Sequence, residues 1–322
     1  MTISLQRIQT VARQTRFDPA VVEKVIHLMS LLEAIDRHPI LRGKFALKGG
    51  TALNLFVFPL PRLSVDIDLN LTDFLSVEDL EKHRPIFAQA FEAVFRREDF
   101  AIRKSPTEHA GGKWRLGYPS VLGGSSNIEV DVNYVLRMPL WEPERRNSVH
   151  LDQYFAKNIR VLSEPELAAG KLCALFARIQ ARDLFDAHQL LTQRTIDKDQ
   201  LRIAFTVYGG INRLDWRTVD LTRINLNPTD AERMLVPTVR AEIIEASGGP
   251  SNWIERMISE TREKLSGFYP LGKGDQEFLD ALLDRGEIRA ELLTTDVALQ
   301  ERIRLHPMLN WKAINVRRHH RL

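Results

Sequence analysis

The spacing of apolar residues predicts helices in the first part of this chain. Across residues 22–35 apolar side chains recur every three or four positions, which is the period of a helix with one buried face. Asp18 stands where an N-cap is expected and Pro19 where the first helical residue is expected. A second helix is predicted to begin at the capping-box sequence of Ser76 and to end near Arg97.

Strands are predicted wherever apolar and polar residues alternate. In Val65–Leu71 every second residue is apolar, so Asp66 and Asp68 point to the same face. Three further strands follow a similar pattern and are separated by polar or glycine-rich turns, as in an antiparallel meander. They are Phe100–Ile102, Lys113–Tyr118 and Asn127–Val135.

The second half of the chain changes to helical patterns. Ser163 and Glu166, with a proline between them, have the form of another capping box, and a long helical region follows. If that helix is continuous, several of its charged residues lie near one stripe, which on physical grounds alone allows a surface salt-bridge ladder. These residues are Lys171, Arg178, Arg182 and Asp186. We therefore expect an α/β protein with two domains, a mixed-sheet domain over residues 1–160 and a mostly helical one over residues 161–322.

Length and composition indicate a globular protein with a full hydrophobic core. A chain of 322 residues with 44% hydrophobic residues can bury a full core, and no stretch approaches the ~20 apolar residues that cross a bilayer. Neither a signal peptide nor a membrane partner is expected. The single cysteine, Cys173, is predicted to be a packed core thiol, and a reducing cytoplasm is the expected compartment. The net charge of +3 is too small to indicate nucleic-acid binding by itself, so a local basic patch is needed.

The Asp66–Asp68 strand carries the most specific chemistry. Two carboxylates at positions i and i+2 lie only about 7 Å apart, which is unfavourable unless a cation lies over them. Mg²⁺ is the expected cation, with Mn²⁺ as an alternative, because it binds one or two carboxylates together with substrate phosphates. Asp66 and Asp68 are therefore the predicted metal ligands. The alternative is a solvated strand face.

A glycine turn precedes that strand. The short apolar strand 45–47 leads through Lys48 into Gly49 and Gly50, and a helical segment is predicted to begin at Thr51. Main-chain N–H groups at such a helix start can face an anion, and Lys48 and Arg62 add positive charge. The alternative is an ordinary turn.

Asp131 is the predicted third carboxylate. It lies in the alternating segment Asn127–Val135, and we expect it opposite the aspartate pair, as a metal ligand or as the base for an attacking hydroxyl. Alternation alone equally allows an exposed polar edge.

These residues together resemble a known family. The order of glycine turn, short helix and Asp-x-Asp strand resembles that of the nucleotidyltransferase superfamily. The amino-acid sequences of residues 48–53 and 62–69 are similar to those of its AbiEii/AbiGii toxin branch. The link between Gly50 and Asp66 is longer than in the family, and its extra residues fall at the turn 58–61. The resemblance implies a nucleotidyltransferase-type mixed sheet with flanking helices and a mostly helical C-terminal lobe, with the nucleotide in the cleft between.

The resemblance also implies roles for individual residues. Gly49, Gly50 and Thr51 would cradle the triphosphate, with Lys48, Arg62 and Ser64 beside it. Later motifs around Glu166–Leu172 and Arg182–Asp186 are similar to those in which a helical lysine contacts the triphosphate and an acidic residue completes the site. Those roles would fall to Lys171 and Asp183, while Asp186 would orient the lysine or an arginine.

The function implied is that of a growth-arresting toxin with a separately encoded antitoxin. It would transfer a nucleoside monophosphate from an NTP to RNA, with the 3′ end of tRNA as the expected acceptor. Other readings remain open: a small-molecule or protein acceptor, or a non-catalytic nucleotide-binding component. An acidic pocket near Asp131 would favour an aminated small substrate, and a solvent-facing basic patch near Arg317 would favour RNA. Because Ser64 precedes Asp66 by two residues, we expect a phosphate on Ser64 to repel the triphosphate.

The C-terminal segment supplies a candidate basic surface. From Arg302 to the end of the chain there is no acidic residue, and Trp311 is available for stacking on a base. The alternative is a solvated tail whose charges pair with acids elsewhere. The basic residues are Arg302, Arg304, Lys312, Arg317, Arg318 and Arg321.

Overall fold

A computed structural model describes residues 3–104, 111–226, 228–267, 269 and 271–320. The chain forms two compact units. Unit 1 contains residues 1–137, 143–162 and 238–240, and unit 2 contains residues 138–142, 163–237 and 241–322.

Unit 1 is built on a seven-stranded mixed sheet with the strand order β3-β4-β5-β2-β1-β7-β6. The pairs β2/β5 and β1/β7 are parallel, and the other neighbouring pairs are antiparallel. The strands are β1 Phe45–Lys48, β2 Asp66–Leu71, β3 Ala101–Lys104, β4 Gly111–Pro119, β5 Ser125–Asn133, β6 Glu144–Arg146 and β7 Ile159–Val161. The predicted meander is confirmed as β3–β4–β5.

One face of this sheet is covered by helices. The apolar side chains of β1 and β4 meet the aromatic side of α4, where the rings of Phe45 and Phe87 lie 5.3 Å apart and those of Phe91 and Trp114 lie 5.4 Å apart. On α2, the buried carboxylate of Glu23 accepts hydrogen bonds from the turn between β4 and β5. The helices of unit 1 are α1 Leu5–Thr15, α2 Pro19–Arg37, α3 Gly49–Ala52 and α4 Val77–Arg97, with a π-helical turn at Leu53–Val57.

Unit 2 is helical. Its α-helices are α5 Glu164–Arg178, α6 Ala181–Gln193, α7 Lys198–Ile211, α8 Pro228–Leu235, α9 Ala241–Glu245, α10 Pro250–Leu265, α11 Lys273–Asp280, α12 Val297–Leu305 and α13 Pro307–His320. A π-helical turn covers Ala281–Arg285. Short 3-10 turns cover Trp216–Thr218, Leu221–Arg223, Val236–Thr238 and Ala290–Leu292. No helix in the described ranges is long and apolar enough to cross a membrane.

The helix starts predicted at Pro19 and Ser76 are confirmed, since Asp18 and Ser76 both accept main-chain N–H groups as N-caps. Two other predictions were wrong. The helix expected from Thr51 begins at Gly49, because the glycine itself adopts the left-handed conformation that turns the chain out of β1. The hydroxyl of Ser163 caps no main-chain group and donates instead to the carboxylate of Glu166.

The long helical region predicted after Ser163 is confirmed, but it is not one continuous helix. It is broken at Ile179, whose φ of 51° is left-handed and ends α5. The chain then turns and restarts as α6 at Ala181. Residues expected on one stripe of a single helix are therefore carried by two helices.

Candidate active site

The open face of the sheet in unit 1 carries a row of charged side chains. Strand pairing sets Lys48 beside Asp68, Asp68 beside Asp131, and Asp131 beside Lys113. Paired residues of neighbouring strands share a face, and neighbouring strands lie about 4.8 Å apart. The register therefore places Asp131 next to the Asp66–Asp68 pair, on a side-chain row that crosses four strands.

A second row runs beside the first. Asp66 pairs with Glu129, and Glu129 pairs with Arg115. The residues between these charged positions, such as Ile67 and Val130, are fully buried on the helix-covered face. The period of two thus separates an apolar face that packs from a face that holds carboxylates and cations.

Like charges so close together need compensation, and lysines on both sides supply it. Burial lowers the pKa of Lys48, while the carboxylates of Asp68 and Asp131 act in the opposite direction. On the other side, the Nζ of Lys113 donates to Glu129 at 3.1 Å, and this bond raises the pKa of Lys113. The open face is therefore acidic at its centre and basic at its margins.

Gly49 brings the main chain against the Asp68 carboxylate. Its φ of +72° is in the left-handed region, and a Cβ added there would overlap the Asp68 side chain. Only glycine permits both the conformation and the approach. The carbonyl of Gly50 accepts a hydrogen bond of 2.8 Å from the side-chain amide of Asn54, which holds the turn in place.

The side chains of Thr51 and Arg62 are used within the fold. Thr51 is fully buried, and its hydroxyl donates to the main-chain oxygen of Asp66 at 2.5 Å. Arg62 is 3% exposed, forms a β-bridge with Val239 and donates to the carbonyl of Leu63. Ser64 is half-buried in the segment that leads into β2. Because the Thr51 hydroxyl is already bonded, only the main chain of Thr51 is available to an anion. Arg62 stabilises the segment that leads into the Asp-x-Asp strand.

In unit 2 the structure brings Lys171, Asp183 and Asp186 together. The Nζ of Lys171 lies 2.9 Å from a carboxylate oxygen of Asp183 and 3.0 Å from one of Asp186. Arg178 reaches Asp183 with two nitrogens, at 2.6 and 2.9 Å. The alternative of a surface salt-bridge ladder is excluded, because the break at Ile179 folds α6 back and buries the lysine and both aspartates.

Burial would raise the pKa of Asp183, but the hydrogen bonds from Arg178 and the charge of Lys171 outweigh it and lower that pKa. A buried ion cluster of this kind is stable only when complete, since a charge that loses its partner is left without solvent. The cluster therefore holds the corner between α5 and α6.

Sequence reasoning missed two groups of residues. Glu166 is the centre of a buried network in unit 2, where it accepts hydrogen bonds from Tyr208, Ser163 and the main chain of 140–141. The sequence showed it only as a capping residue. On the open face of unit 1, Glu129, Lys113 and Arg115 belonged to predicted strands without a role. The alternating pattern predicts which face of the sheet these residues occupy, but only the pairing between strands shows which residues lie beside them.

The carboxylate oxygens of Asp66 and Asp68 are suitable ligands for a divalent cation. Oxygen ligands are those that Mg²⁺ prefers. In the described ranges no three His, Cys, Asp or Glu side chains are arranged as a ready metal cage. The pair Asp66 and Asp68 thus matches a site that a phosphate ligand would complete, rather than one closed by protein alone.

The C-terminal segment of unit 2 divides into paired and exposed charges. Arg302 forms an ion pair with Glu142 at 2.5 Å, and Arg304 forms one with Glu291 at 3.4 Å. These two residues follow the alternative in which the basic charges pair with acids elsewhere. Arg317 is exposed while one of its nitrogens donates to the carbonyl of Gly286. Lys312 donates a hydrogen bond to the carbonyl of Asn212. Trp311 and Arg318 are exposed, and Arg321 lies outside the described residues.

An Asp-x-Asp strand beside a glycine turn, on the open face of a mixed sheet, defines the nucleotidyltransferase class of enzymes. The family model described as nucleotidyl transferase AbiEii toxin, type IV toxin–antitoxin system, matches residues 30–245, and the chain belongs to this family. It is therefore a nucleotidyltransferase toxin, with the NTP substrate and antitoxin partner that the family implies. Enzymes of this class use divalent metal ions.

A solved structure supports the fold. The chain is similar to MenT4, a nucleotidyltransferase toxin from Mycobacterium tuberculosis, with a TM-score of 0.58 and 16% sequence identity. The match covers 93% of this chain and 98% of MenT4. Among curated proteins no relative matches the sequence.

Proposed function

We propose that this toxin transfers a nucleoside monophosphate from an NTP to an RNA acceptor, and that the acceptor is the 3′ end of tRNA. The observation that carries the proposal is the row Lys48, Asp68, Asp131 on the open face, with Gly49 against the Asp68 carboxylate. Together with Asp66 in the neighbouring row, these residues provide a cation for phosphate, two carboxylates for a metal ion and a further carboxylate for a hydroxyl.

The proposed metal ion is Mg²⁺, held by Asp66 and Asp68. When bound it would supply charge neutralisation for the triphosphate. Main-chain N–H groups at Gly49, Gly50 and Thr51 bind and orient the phosphates, and Lys48 adds positive charge at the end of β1. Ser64 and Arg62 line and brace the entry to β2.

Asp131 is the proposed base. It accepts the proton of the acceptor hydroxyl as the hydroxyl oxygen bonds to the α-phosphorus and the bond to the pyrophosphate oxygen breaks. The products are an RNA extended by one nucleoside monophosphate, and pyrophosphate. Lys113 lies beside Asp131 in register.

Lys171 and Asp183 remain proposed site residues on the family resemblance. Lys171 is proposed to neutralise charge on the pyrophosphate, and Asp183 to hold that lysine. Two carboxylate oxygens within 3.0 Å of its Nζ hold Lys171 in place but also offset its charge. If Lys171 contacts a phosphate, Asp183 and Asp186 would therefore both have to stay in place to hold the lysine.

A small-molecule acceptor is the second candidate. Four carboxylates on the open face favour it, since they would attract an aminated substrate. Lys48, Lys113 and Arg115 on the same face offset that charge, and the exposed arginines of α13 favour RNA. We therefore propose RNA, and the cytoplasm as the compartment because NTPs and tRNA occur there together.

The test is transfer of label from each α-labelled NTP to total tRNA with Mg²⁺. We expect label in tRNA with the wild-type protein and a loss of more than about 100-fold in Asp66→Asn and Asp68→Asn, because the developing charge is no longer neutralised. Glu92→Gln is the control, since it removes a carboxylate from α4 on the covered side of the sheet. Label that persists in both aspartate variants, or that never enters RNA, would reject the proposal.

A further inference from the structure

The edge of the sheet in unit 1 presents a strip of four cationic side chains, which we call the basic strip. It consists of Arg103 and Lys104 on β3 and Lys113 and Arg115 on β4. All four side chains are exposed, and the side chains of Lys113 and Arg115 are 51% and 54% accessible. Lys113 is also the β4 end of the charged row that contains Asp131, whereas Arg103, Lys104 and Arg115 lie outside that row.

A β-bulge puts both β3 cations on the open face. Ile102 pairs with Leu116, whereas Lys104 pairs with Arg115, so Arg103 is the extra residue between them. A regular strand would turn two consecutive side chains to opposite faces, and a bulge re-aims one of them. Lys104 shares the face of Arg115 through its pairing.

Gly117 makes room for Arg103. A Cβ added at Gly117 would lie 2.7 Å from the Nε of Arg103, on the face that also carries Lys113 and Arg115. The guanidinium of Arg103 therefore lies across β4 on the open side. The bulge and the glycine are two independent features that together gather four cations on one surface.

The basic strip has a surplus of positive charge. Glu129 pairs with Lys113 at 3.1 Å and with Arg115 at 3.8 Å. In the described part of the chain, Arg103 and Lys104 form no ion pair. Asp131 also pairs in register with Lys113, so two carboxylates face four cations, and the remaining positive charge attracts anions.

The strip is continuous with the catalytic row. In the strand order β3-β4-β5-β2, Lys113 lies two strands from Asp68, which is about 10 Å at the spacing of strands in a sheet. Asp131 lies between them. An RNA strand whose terminal hydroxyl is at Asp131 would therefore have its preceding phosphates over β4 and β3.

We propose that the basic strip is the track for the phosphate backbone of the acceptor RNA and delivers its terminal hydroxyl to Asp131. This inference rests on the proposed function and adds the residues that hold the acceptor. Glu129 contacts Lys113 and Arg115 and positions them on the open face. The strip recognises a single-stranded backbone by charge, so it is sequence-independent and salt-dependent.

The test uses the double variant Arg103→Ser, Lys104→Ser, which removes two exposed cations without breaking an ion pair among the described residues. Its control is Arg96→Ser, Arg97→Ser, which removes two adjacent exposed arginines from α4 on the covered side of the sheet. Steady-state transfer is measured over RNA concentration and over salt, and NTP affinity is measured separately with a fluorescent NTP analogue.

We expect the strip variant to raise the KM for RNA about tenfold, with kcat and NTP affinity unchanged. The slope of log(kcat/KM) against log salt should become shallower by about 1.4, since each lost contact to a single strand contributes about 0.7. The control should match the wild type. An unchanged KM and salt slope in the strip variant would overturn the proposal.

Failure of the underlying function is distinguishable. If the wild type transfers to no RNA, fluorescence anisotropy with a labelled single-stranded RNA still compares wild type, strip variant and control. Binding that weakens about tenfold in the strip variant alone supports the strip even then. Equal binding by all three proteins overturns it.

Discussion

Gly49 is the residue on which the geometry of the site depends most directly. It turns the chain from β1 into α3 with a φ of +72°, and its missing side chain leaves the space into which the Asp68 carboxylate reaches. Two separate costs oppose any other residue: left-handed strain and overlap with a charged group. The same chain offers a position at which only the first cost applies.

Gly49→Ala should abolish nucleotide transfer, whereas Gly43→Ala should not. Gly43 has the same φ of +72°, but a Cβ added there meets nothing within 4 Å. Both variants should lose about 1 kcal/mol to backbone strain. Only Gly49→Ala displaces Asp68, so its kcat/KM should fall by about 100-fold or more. Transfer assays and urea unfolding of both variants check this, and equal activities would remove Gly49 from the site.

Ser64→Glu should inactivate the enzyme and Ser64→Ala should not. Ser64 lies two residues before Asp66 and is half-buried, so a carboxylate there adds negative charge to a face that already holds several. We expect NTP affinity to fall about tenfold or more in the Glu variant, measured by titration with a fluorescent NTP analogue. Normal affinity and activity in Ser64→Glu would show that this position does not face the triphosphate.

At this scale the sequence was informative where the signal is local. Asp66, Asp68 and Asp131 were found because alternation assigns a face to each residue, and the strand register set them side by side. Arg103 was not recognisable, because a bulge breaks the alternation and because the space for its side chain is left by Gly117 in another strand. Contacts across strands are not encoded in the spacing along one of them.

Among the elements, the corner between α5 and α6 shows tertiary structure overriding local preference. Ile179 takes a left-handed conformation that a β-branched residue disfavours, so no sequence signal marked the break. The ion cluster of Lys171, Asp183 and Asp186 forms only because the chain turns there. A continuous helix would have kept those charges on a solvated stripe.

The pH dependence of stability should report this corner. The pKa of Asp183 is lowered in the folded state, so its contribution is present above the ordinary value of 3.8 and is lost as the pH falls through the folded value. Asp183→Asn should unfold about 2 kcal/mol more easily at pH 7, since Lys171 keeps Asp186 as a partner.

The difference between wild type and Asp183→Asn should begin to shrink below pH 3.8, where the unfolded wild-type carboxyl takes up a proton, and should vanish as the pH falls through the lower folded pKa, where the folded carboxyl is protonated too. Urea unfolding followed by circular dichroism from pH 7 to pH 3 measures it. Asp199→Asn is the control, since its side chain is 87% exposed and should show little difference at any pH. A gap that stays constant with pH would mean that Asp183 is not a depressed carboxylate.

For the whole molecule, the net charge of +3 is distributed rather than concentrated. The basic strip and the exposed arginines of α13 coexist with the acidic centre of the open face. Total charge thus carries little information on RNA binding, and sheet topology decides which charges act together. The sequence predicted an α/β fold and the family predicted its class, whereas the mixed strand order needed the structure, since alternation does not specify which strands are neighbours.

Ligand binding should appear as a change in the stability of the molecule. A ligand that binds only the folded state at 100 times its Kd stabilises that state by about 2.7 kcal/mol. For a unit of this size we expect the Tm to rise by roughly 5–10 °C when Mg²⁺ and the cognate NTP are both present. Either component alone should give a smaller shift, because the Asp66–Asp68 pair and the phosphates are each an incomplete ligand set for the ion.

Differential scanning calorimetry measures this shift with each NTP in turn. Asp68→Asn should lose the Mg²⁺-dependent part, while Glu92→Gln, on the covered side of the sheet, should keep it. If two transitions are resolved, the one that responds should be that of unit 1, which holds Asp66 and Asp68. A shift of full size in Asp68→Asn would place the nucleotide elsewhere, because the metal-dependent term cannot survive the loss of a metal ligand that the site requires.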